Sequence, residues 1–434
     1  MAELVYDNGR LLFTEEMRKE YTILIPMMLP LHFKMLEQIF NSHGYKAELL
    51  YTTGRKVVDE GLRNVHNDTC YPALLVIGQL IDALRSGKYD KRKVALMITQ
   101  TGGGCRASNY ISLLRKALIK NGLEYVPVVS LNFVGLERNP GWKITPSMFK
   151  DMIVGICYAD LMVWLANQVR PYEQTPGITD RLCERWTKYL CETDFKLTEY
   201  RKNLTQIVKD FESIPYTPKD LPKVGIVGEV YIKFAPLGNN NLEQFLRKEG
   251  CEVVITGLLD MVLFMADHNI VETELYKMNY GKYIVYAGAK VFMRRVQNGI
   301  IKAVKSSRFT PPGKFEDTKA NSEGYVSPGN KMGEGWLLTA EMLELLHSGV
   351  NNIVCAQPFG CLPNHIVGKG MIRKIRNAHP EANIVAVDYD PGATAVNQEN
   401  RLKLMLSTAR GSSTLASPKA PSAQKEDENT PLTV

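Results

Sequence analysis

A chain of 434 residues, 45% hydrophobic and 23% charged, has the composition of a globular protein too long for one ordinary core, so two or three α/β lobes are expected. Its net charge of +7 is spread along the chain without a basic block or aromatic-interleaved patch, which argues against nucleic acid and suits an anionic ligand or an acidic partner. No stretch reads as a secretory signal, and the apolar run 152–166 is broken by Asp160 and too short to span a bilayer; a cytoplasmic protein with no membrane contact is expected.

Residues 1–20, ending in the charged run 14–20, read as an N-terminal arm. A buried strand follows at 21–26, then a helix through Leu36-Glu-Gln-Ile-Phe-Asn41 and a strand at 46–51. A strand at 94–99 leads through a Gly-rich loop into a helix at 109–120 and a strand at 125–130. The stretch 147–210 is mostly helical, and the proline-rich joint 215–222 marks the boundary between lobes. The unit then recurs, as strand 223–228, helix 242–250 and strand 252–256. Both helices carry Leu-Glu-Gln (from Leu36 and Leu242) and end at a glycine, Gly44 or Gly250, where a C-cap needs a left-handed residue. The segment 258–308 is again helical. A strand at 351–355 then leads through a Pro/Gly loop into a helix ending near Ala378 and a strand at 383–388.

Strands separated by helices predict parallel sheets covered on both faces. The expected fold is α/β: two Rossmann-like lobes, 21–215 with a helical extension and 216–406, with mostly parallel sheets, helical insertions and an inter-lobe cleft. Residues 407–434, rich in Ser, Thr, Ala and Pro, read as a disordered tail.

Eight cysteines in a reducing compartment point to metal binding or plain burial, not disulfides. Four share a setting. Cys70 precedes a helix in Asn67-Asp-Thr-Cys-Tyr-Pro72. Cys105 follows a strand in Gly102-Gly-Gly-Cys-Arg106. Cys355 is placed at a strand end, and Cys361 lies in Pro358-Phe-Gly-Cys-Leu-Pro-Asn364. Open parallel sheets bind ligands beyond the carboxyl ends of their strands, so such loops can converge on one crevice. Helix N-termini stabilise thiolates, glycines let the backbone come close, and proline stiffens a first helical turn. No C-x-x-C pair supports zinc; dispersed thiolates fit better an iron–sulfur cluster held between domains. The competing reading makes Cys70 and Cys355 small buried hydrophobes. Cys157, Cys183, Cys191 and Cys251 read as core.

Three segments resemble the cysteine motifs of the 2-hydroxyacyl-CoA dehydratase family: Asn67-Asp-Thr-Cys-Tyr-Pro-Ala73, Gly104-Cys-Arg-Ala-Ser-Asn-Tyr110 and Gln357-Pro-Phe-Gly-Cys-Leu-Pro-Asn-His365. Gly368-Lys-Gly370 and Asp388-Tyr-Asp-Pro-Gly392 extend the likeness over nearly the whole chain between arm and tail. Within the family it is similar to the branch related to the C-terminal half of large CoA-substrate-specific enzyme activases. The resemblance implies a [4Fe-4S] cluster in the crevice and a separate ATP-dependent iron–sulfur activator protein that delivers a low-potential electron. It implies radical dehydration of a 2-hydroxyacyl-CoA or, in a sister branch with a double-cubane [8Fe-9S] cluster, ATP-driven reduction of a small molecule. A dimer is the family's habit. On this sequence the implied ligands are Cys70, Cys105 and Cys361. Cys355 as a fourth would close the open iron and favour pure electron transfer. The loop Thr101-Gly-Gly-Gly-Cys105 departs from the Gly-Pro-Cys-Arg form of the family.

No Walker loop and no G-x-G-x-x-G after a strand occurs, so ATP is expected on the partner. Arg106 could tune the cluster or hold an anion, or simply cap the surface. His365 and Lys369, about one helical turn apart, are candidate acid or phosphate contacts, or else a solvated face. Asp388 and Asp390 end a strand and read as hydroxyl ligands or as caps, and Asn67 and Asp68 read as caps of the helix after Cys70. No G-x-S-x-G elbow supports hydrolase chemistry, and no Lys/Arg cluster announces a CoA phosphate site. Three readings stay open: a dehydratase or reductase, an electron-transfer component, and a metal-free small-molecule-binding module.

Overall fold

The structure, a computed structural model, describes residues 3–414 apart from 67, 102, 133–135 and 278–279. A short hairpin, β1 (Tyr6–Asp7) and β2 (Arg10–Leu11), precedes two parallel four-stranded sheets. The first holds β3 (Thr22–Pro26), β4 (Ala47–Leu50), β5 (Val94–Thr99) and β6 (Val128–Leu131), in the order β4-β3-β5-β6. The second holds β7 (Lys223–Gly228), β8 (Glu252–Ile255), β9 (Asn352–Pro358) and β10 (Asn383–Tyr389), in the order β10-β9-β7-β8. The inner strands are short apolar runs, as strands buried on both faces must be; Ile23 pairs with both Ala47 and Ala95, and Val354 with both Ile226 and Val385.

The two lobes share one topology. Counting strands within each lobe, both sheets read 2-1-3-4. In this order the chain reverses direction between its first and third strands, and the crevice opens beyond their carboxyl ends. Those places are β3/β5 in the first lobe and β7/β9 in the second.

A helical body joins the lobes. Helices Pro146–Val169, Ile178–Glu192, Tyr200–Glu212, Leu258–Tyr276 and Tyr280–Lys305 pack with the first sheet around one core that includes Tyr158, Phe211, Phe264 and Trp336. Helix Tyr71–Arg85 is buried on every face from Tyr71 to Leu84, as a helix apolar nearly all round must be, and its polar residues are paired, Gln79 donating to the Leu50 and Thr52 carbonyls and Asp82 meeting Lys56 at 2.7 Å. It shares a core with Val224, Ile226 and Val354 of the second lobe, so the cleft has a packed floor.

Four expectations need correction. The arm is docked from residue 10 onward: Leu11, Phe13 and Met17 are buried, and Gly141 N–H donates to the Phe13 carbonyl at 2.8 Å. The charged run hides this because Met17 is its one apolar residue, turned inward on helix Glu15–Glu20. Residues 407–414, read as part of a tail, belong to helix Ala395–Thr414, which is anchored by Leu402, Met405 and Leu406; residues 415–434 lie outside the described part.

The apolar run belongs to Pro146–Val169, whose 24 residues are long and apolar enough to cross a membrane, yet it lies mostly buried within the protein. Its Asp160 accepts from the Leu258 and Leu259 N–H groups at 2.8 and 2.9 Å and pairs with His32 at 2.7 Å. That carboxylate caps the next lobe's first long helix and fixes the body between the sheets. Finally, β9 does not end at Cys355 but runs to Pro358.

Candidate functional site

Cys70 is the N-cap residue of Tyr71–Arg85, and the Tyr71 N–H donates to the Phe359 carbonyl at 3.0 Å, tying the start of this helix to the loop after β9. Cys105 precedes the turn Arg106–Asn109 in the loop after β5, where Gly104 N–H contacts Met332 Sδ at 3.0 Å. Cys361 follows β9, and its carbonyl accepts from His365 N–H at 3.2 Å, opening the next helical segment. These three cysteines line one cavity of about 460 Å³ together with Met28, Thr99, Glu229, Glu334, Tyr110, Arg106 and His365. Both crevices contribute: Met28 and Thr101 lie past β3 and β5, Glu229 and Gly360 past β7 and β9.

Two glycines allow the loops to meet. Gly360, at φ +74°, would place a Cβ 3.1 Å from Cys70 Cα. Gly333, at φ +61°, would place one 2.8 Å from Pro363 Cγ and 3.7 Å from Cys105 Sγ. Any side chain there strains the backbone and intrudes on the thiols.

The cavity is acidic and lacks a committed cation. Glu334 accepts the Val230 N–H at 2.9 Å and Glu229 the Ile232 N–H at 2.9 Å. Among the described residues neither carboxylate has an ion-pair partner, because Lys233 behind them is bound to Glu341 at 2.8 Å. Burial raises the Glu229 carboxyl well above the usual range, and the adjacent Glu334 adds to it; burial likewise raises Glu334. Burial, then Glu334, pushes the Cys105 thiol up to about 12, and burial with both glutamates lifts Cys361 further. Cys70 is raised by burial and held back by its 2.8 Å hydrogen bond with the Tyr110 hydroxyl. Such a donor set takes up protons unless a positive centre is present to let it ionise.

Cys355 does not reach this cavity. It lies three residues before the end of β9, about 10 Å along a strand. Its Sγ is fully buried below Asn364, whose Oδ1 is 3.5 Å away, within the core of Leu345, Ile353 and Ile375. The other candidates divide. His365 faces the cavity with its ring against the Gln357 amide, and Arg106 is exposed at its rim. Lys369 turns away to Asp388 at 3.6 Å, and Asp390 accepts the Gly392 N–H at 2.7 Å as a turn cap. Asp68 is exposed beside His66. Asn67 and Gly102 lie outside the described residues. Cys157, Cys183 and Cys251 are buried, Cys191 half-buried, all away from the cavity.

Glu229, Glu334 and Tyr110 were not singled out in the sequence. Gly228-Glu229 at the carboxyl end of the second lobe's first strand, and the Gly-Glu-Gly of 333–335, were the signals available. No protein-family model and no curated protein matches this chain. Among the described residues no three His, Cys, Asp or Glu side chains stand close enough to hold a single metal ion; the thiolates of a cluster bind different irons and stand wider apart than the ligands of one ion.

Proposed function

We propose that this chain is an iron–sulfur protein of the 2-hydroxyacyl-CoA dehydratase type. Cys70, Cys105 and Cys361 would hold a [4Fe-4S] cluster, and a separate ATP-dependent iron–sulfur activator protein would supply the electron. The observation that carries this reading is the meeting of three thiols, drawn from both lobes, around one cavity at both sheet crevices.

The donor chemistry fits. Thiols are soft ligands suited to iron–sulfur clusters, and a cationic core would let these buried thiols and carboxyls ionise. A bound cluster would supply one-electron chemistry at low potential to an acyl-CoA or another small substrate. The chain's own groups do the rest. With Cys355 in the core, three thiols remain, which favours a centre with one iron open to substrate over a carrier closed by four. Glu229, whose carboxyl is raised to about 8 by burial and by the adjacent Glu334, can hold a proton at the cavity wall on Oε1, the oxygen not engaged by the Ile232 N–H. Tyr110 orients the Cys70 sulfur, and Arg106 at the rim suits an anionic substrate or partner.

The test is anaerobic reconstitution with iron and sulfide, followed by metal analysis and EPR of the reduced protein. The expected result is about four irons per chain, lost in Cys70→Ala, Cys105→Ala and Cys361→Ala but kept in Cys355→Ala, with a signal altered by added 2-hydroxyacyl-CoA. About eight irons would move the assignment to the double-cubane branch. A wild-type chain that takes up no iron would leave a metal-free small-molecule-binding module.

A further inference from the structure

A second chamber of about 200 Å³ adjoins the thiol cavity. Phe33, Phe40, Met97, Phe149, Met152 and Val262 form its far walls. Met28, Val76, Thr101, Val230, Tyr231 and Met261 line both spaces and form their common boundary. No charged residue lines the chamber among the described residues. Its one amide, Gln100, is already engaged: it accepts from Ser130 Oγ at 2.5 Å and donates to the Ser108 carbonyl at 3.0 Å.

Native interiors seldom leave such a space, since they pack like organic crystals. An apolar cavity of about 150 Å³ is enough to take up benzene. Two hydroxyls at the boundary have no hydrogen-bond partner among the described residues, that of Thr101 and that of Tyr231. Tyr231 is only 6% exposed, and leaving a buried hydroxyl unpaired costs about 1–3 kcal/mol. Both can donate, so the missing partner is an acceptor oxygen. It is also uncharged, because among the described residues no charged side chain lines the chamber to offset the desolvation of an ion.

We propose that the chamber binds the body of a neutral carbonyl compound, a ketone, aldehyde or ester carrying one aromatic or compact branched group, whose carbonyl oxygen accepts from the Tyr231 and Thr101 hydroxyls. The apolar body fills the chamber, and the carbonyl carbon stands at the boundary, facing the three cysteines. As a substrate site this rests on the reading of the thiol cavity as a reaction centre; as a binding site it needs no metal.

The probe is 4-fluoroacetophenone, followed by fluorine NMR on the full-length, metal-free protein, with 4-fluoroethylbenzene lacking the oxygen and 4-fluorobenzoate carrying a charge. The ketone is expected to bind more tightly than either. Tyr231→Phe, which keeps the packing, should weaken the ketone about 3- to 10-fold and leave the hydrocarbon unchanged. Val262→Trp, which fills the chamber, should abolish both. Equal ketone affinity in wild type and Tyr231→Phe, tighter binding of the benzoate, or no ketone binding by a folded wild type would overturn the proposal. Iron analysis is independent of this readout: ketone binding without iron uptake defeats only the cluster reading, and iron uptake without ketone binding defeats only this one.

Discussion

Cys105 offers a direct measure of the cavity's electrostatics. It is the least buried of the three cavity cysteines, and exposure alone would make it the most reactive. Its thiol is nevertheless pushed from an ordinary 9.0 up to about 12 by burial and by Glu334. At pH 8 an ordinary thiol is about one-tenth thiolate, and a thiol at 12 about one ten-thousandth, a loss of about a thousandfold in the attacking species. A more basic thiolate is a better nucleophile, with a Brønsted slope of about 0.4–0.5, which returns about 15- to 30-fold. The metal-free protein should therefore alkylate at Cys105 about 50-fold more slowly than a free thiol at pH 8. The rate should climb tenfold per pH unit up to pH 10 without a plateau. Glu334→Gln, which removes the carboxyl that raises the Cys105 thiol most after burial, should quicken the reaction. Iodoacetamide labelling read peptide by peptide in the mass spectrometer measures all three. A plateau near pH 9, or no response to Glu334→Gln, would show that the carboxyls do not govern the thiols.

Other expectations follow from buried groups. Burial pushes Glu344 up to about 7, opposed by the hydrogen bond donated by Thr318 at 2.6 Å. Because the folded pKa is raised, the folded state holds the extra proton, and stability falls as pH rises from about 4.5 through 7. Glu344→Gln should flatten that fall and add about 2–3 kcal/mol at pH 8; parallel urea-melt midpoints at pH 5 and 8 in both proteins would refute it. Asp160→Ala should cost about 2–4 kcal/mol, since it uncaps two N–H groups and strips buried His32 of its partner. Asp160→Asn should cost less, and equal losses by thermal melting would point to a role other than capping. Gly333→Ala should lower iron retention before it lowers the melting temperature, because its Cβ would press on Pro363 beside Cys105.

The repeated strand–helix–strand units were legible because each inner strand is an unbroken apolar run and each paired helix ends at a left-handed glycine, Gly44 at φ +83° and Gly250 at φ +74°. The loops bearing Cys105 and Cys361 were legible because the ends of parallel strands say where loops must point; Cys70 lies between helices Arg55–Asn64 and Tyr71–Arg85, and only Pro72, marking the first turn of the second, announced its place. Cys355 was misplaced because the run 352–355 reads as a complete strand; Ala356 extends it by pairing with both Gly228 of β7 and Val387 of β10, and Gln357 and Pro358 by pairing with Asp388 and Tyr389 of β10. Glu229 and Glu334 escaped because a glutamate carries no periodic signal, and its meaning here comes from a lobe distant in sequence. The docked arm depends on Phe13 and Met17 joining a core that combines nearby residues such as Ile39 and Phe40 with others more than a hundred positions later, such as Trp142 and Met148.

Two lobes of one topology give the site a partial symmetry. Cys105 and Cys361 both lie in the loop leaving the third strand of their lobe, so the shared fold delivers a thiol twice to the same relative place. The loops after the first strands bring unlike groups, Met28 from one lobe and Glu229 from the other. Cys70 breaks the pattern, entering at the start of the fully buried helix that also forms the floor. Both carboxyls come from the second lobe, whereas residues of both lobes, Met28, Val76 and Thr101 from one and Val230, Tyr231 and Met261 from the other, form the boundary with the second chamber. Thiols from both lobes, two carboxyls from one and an apolar chamber walled by both form an arrangement that neither lobe contains alone.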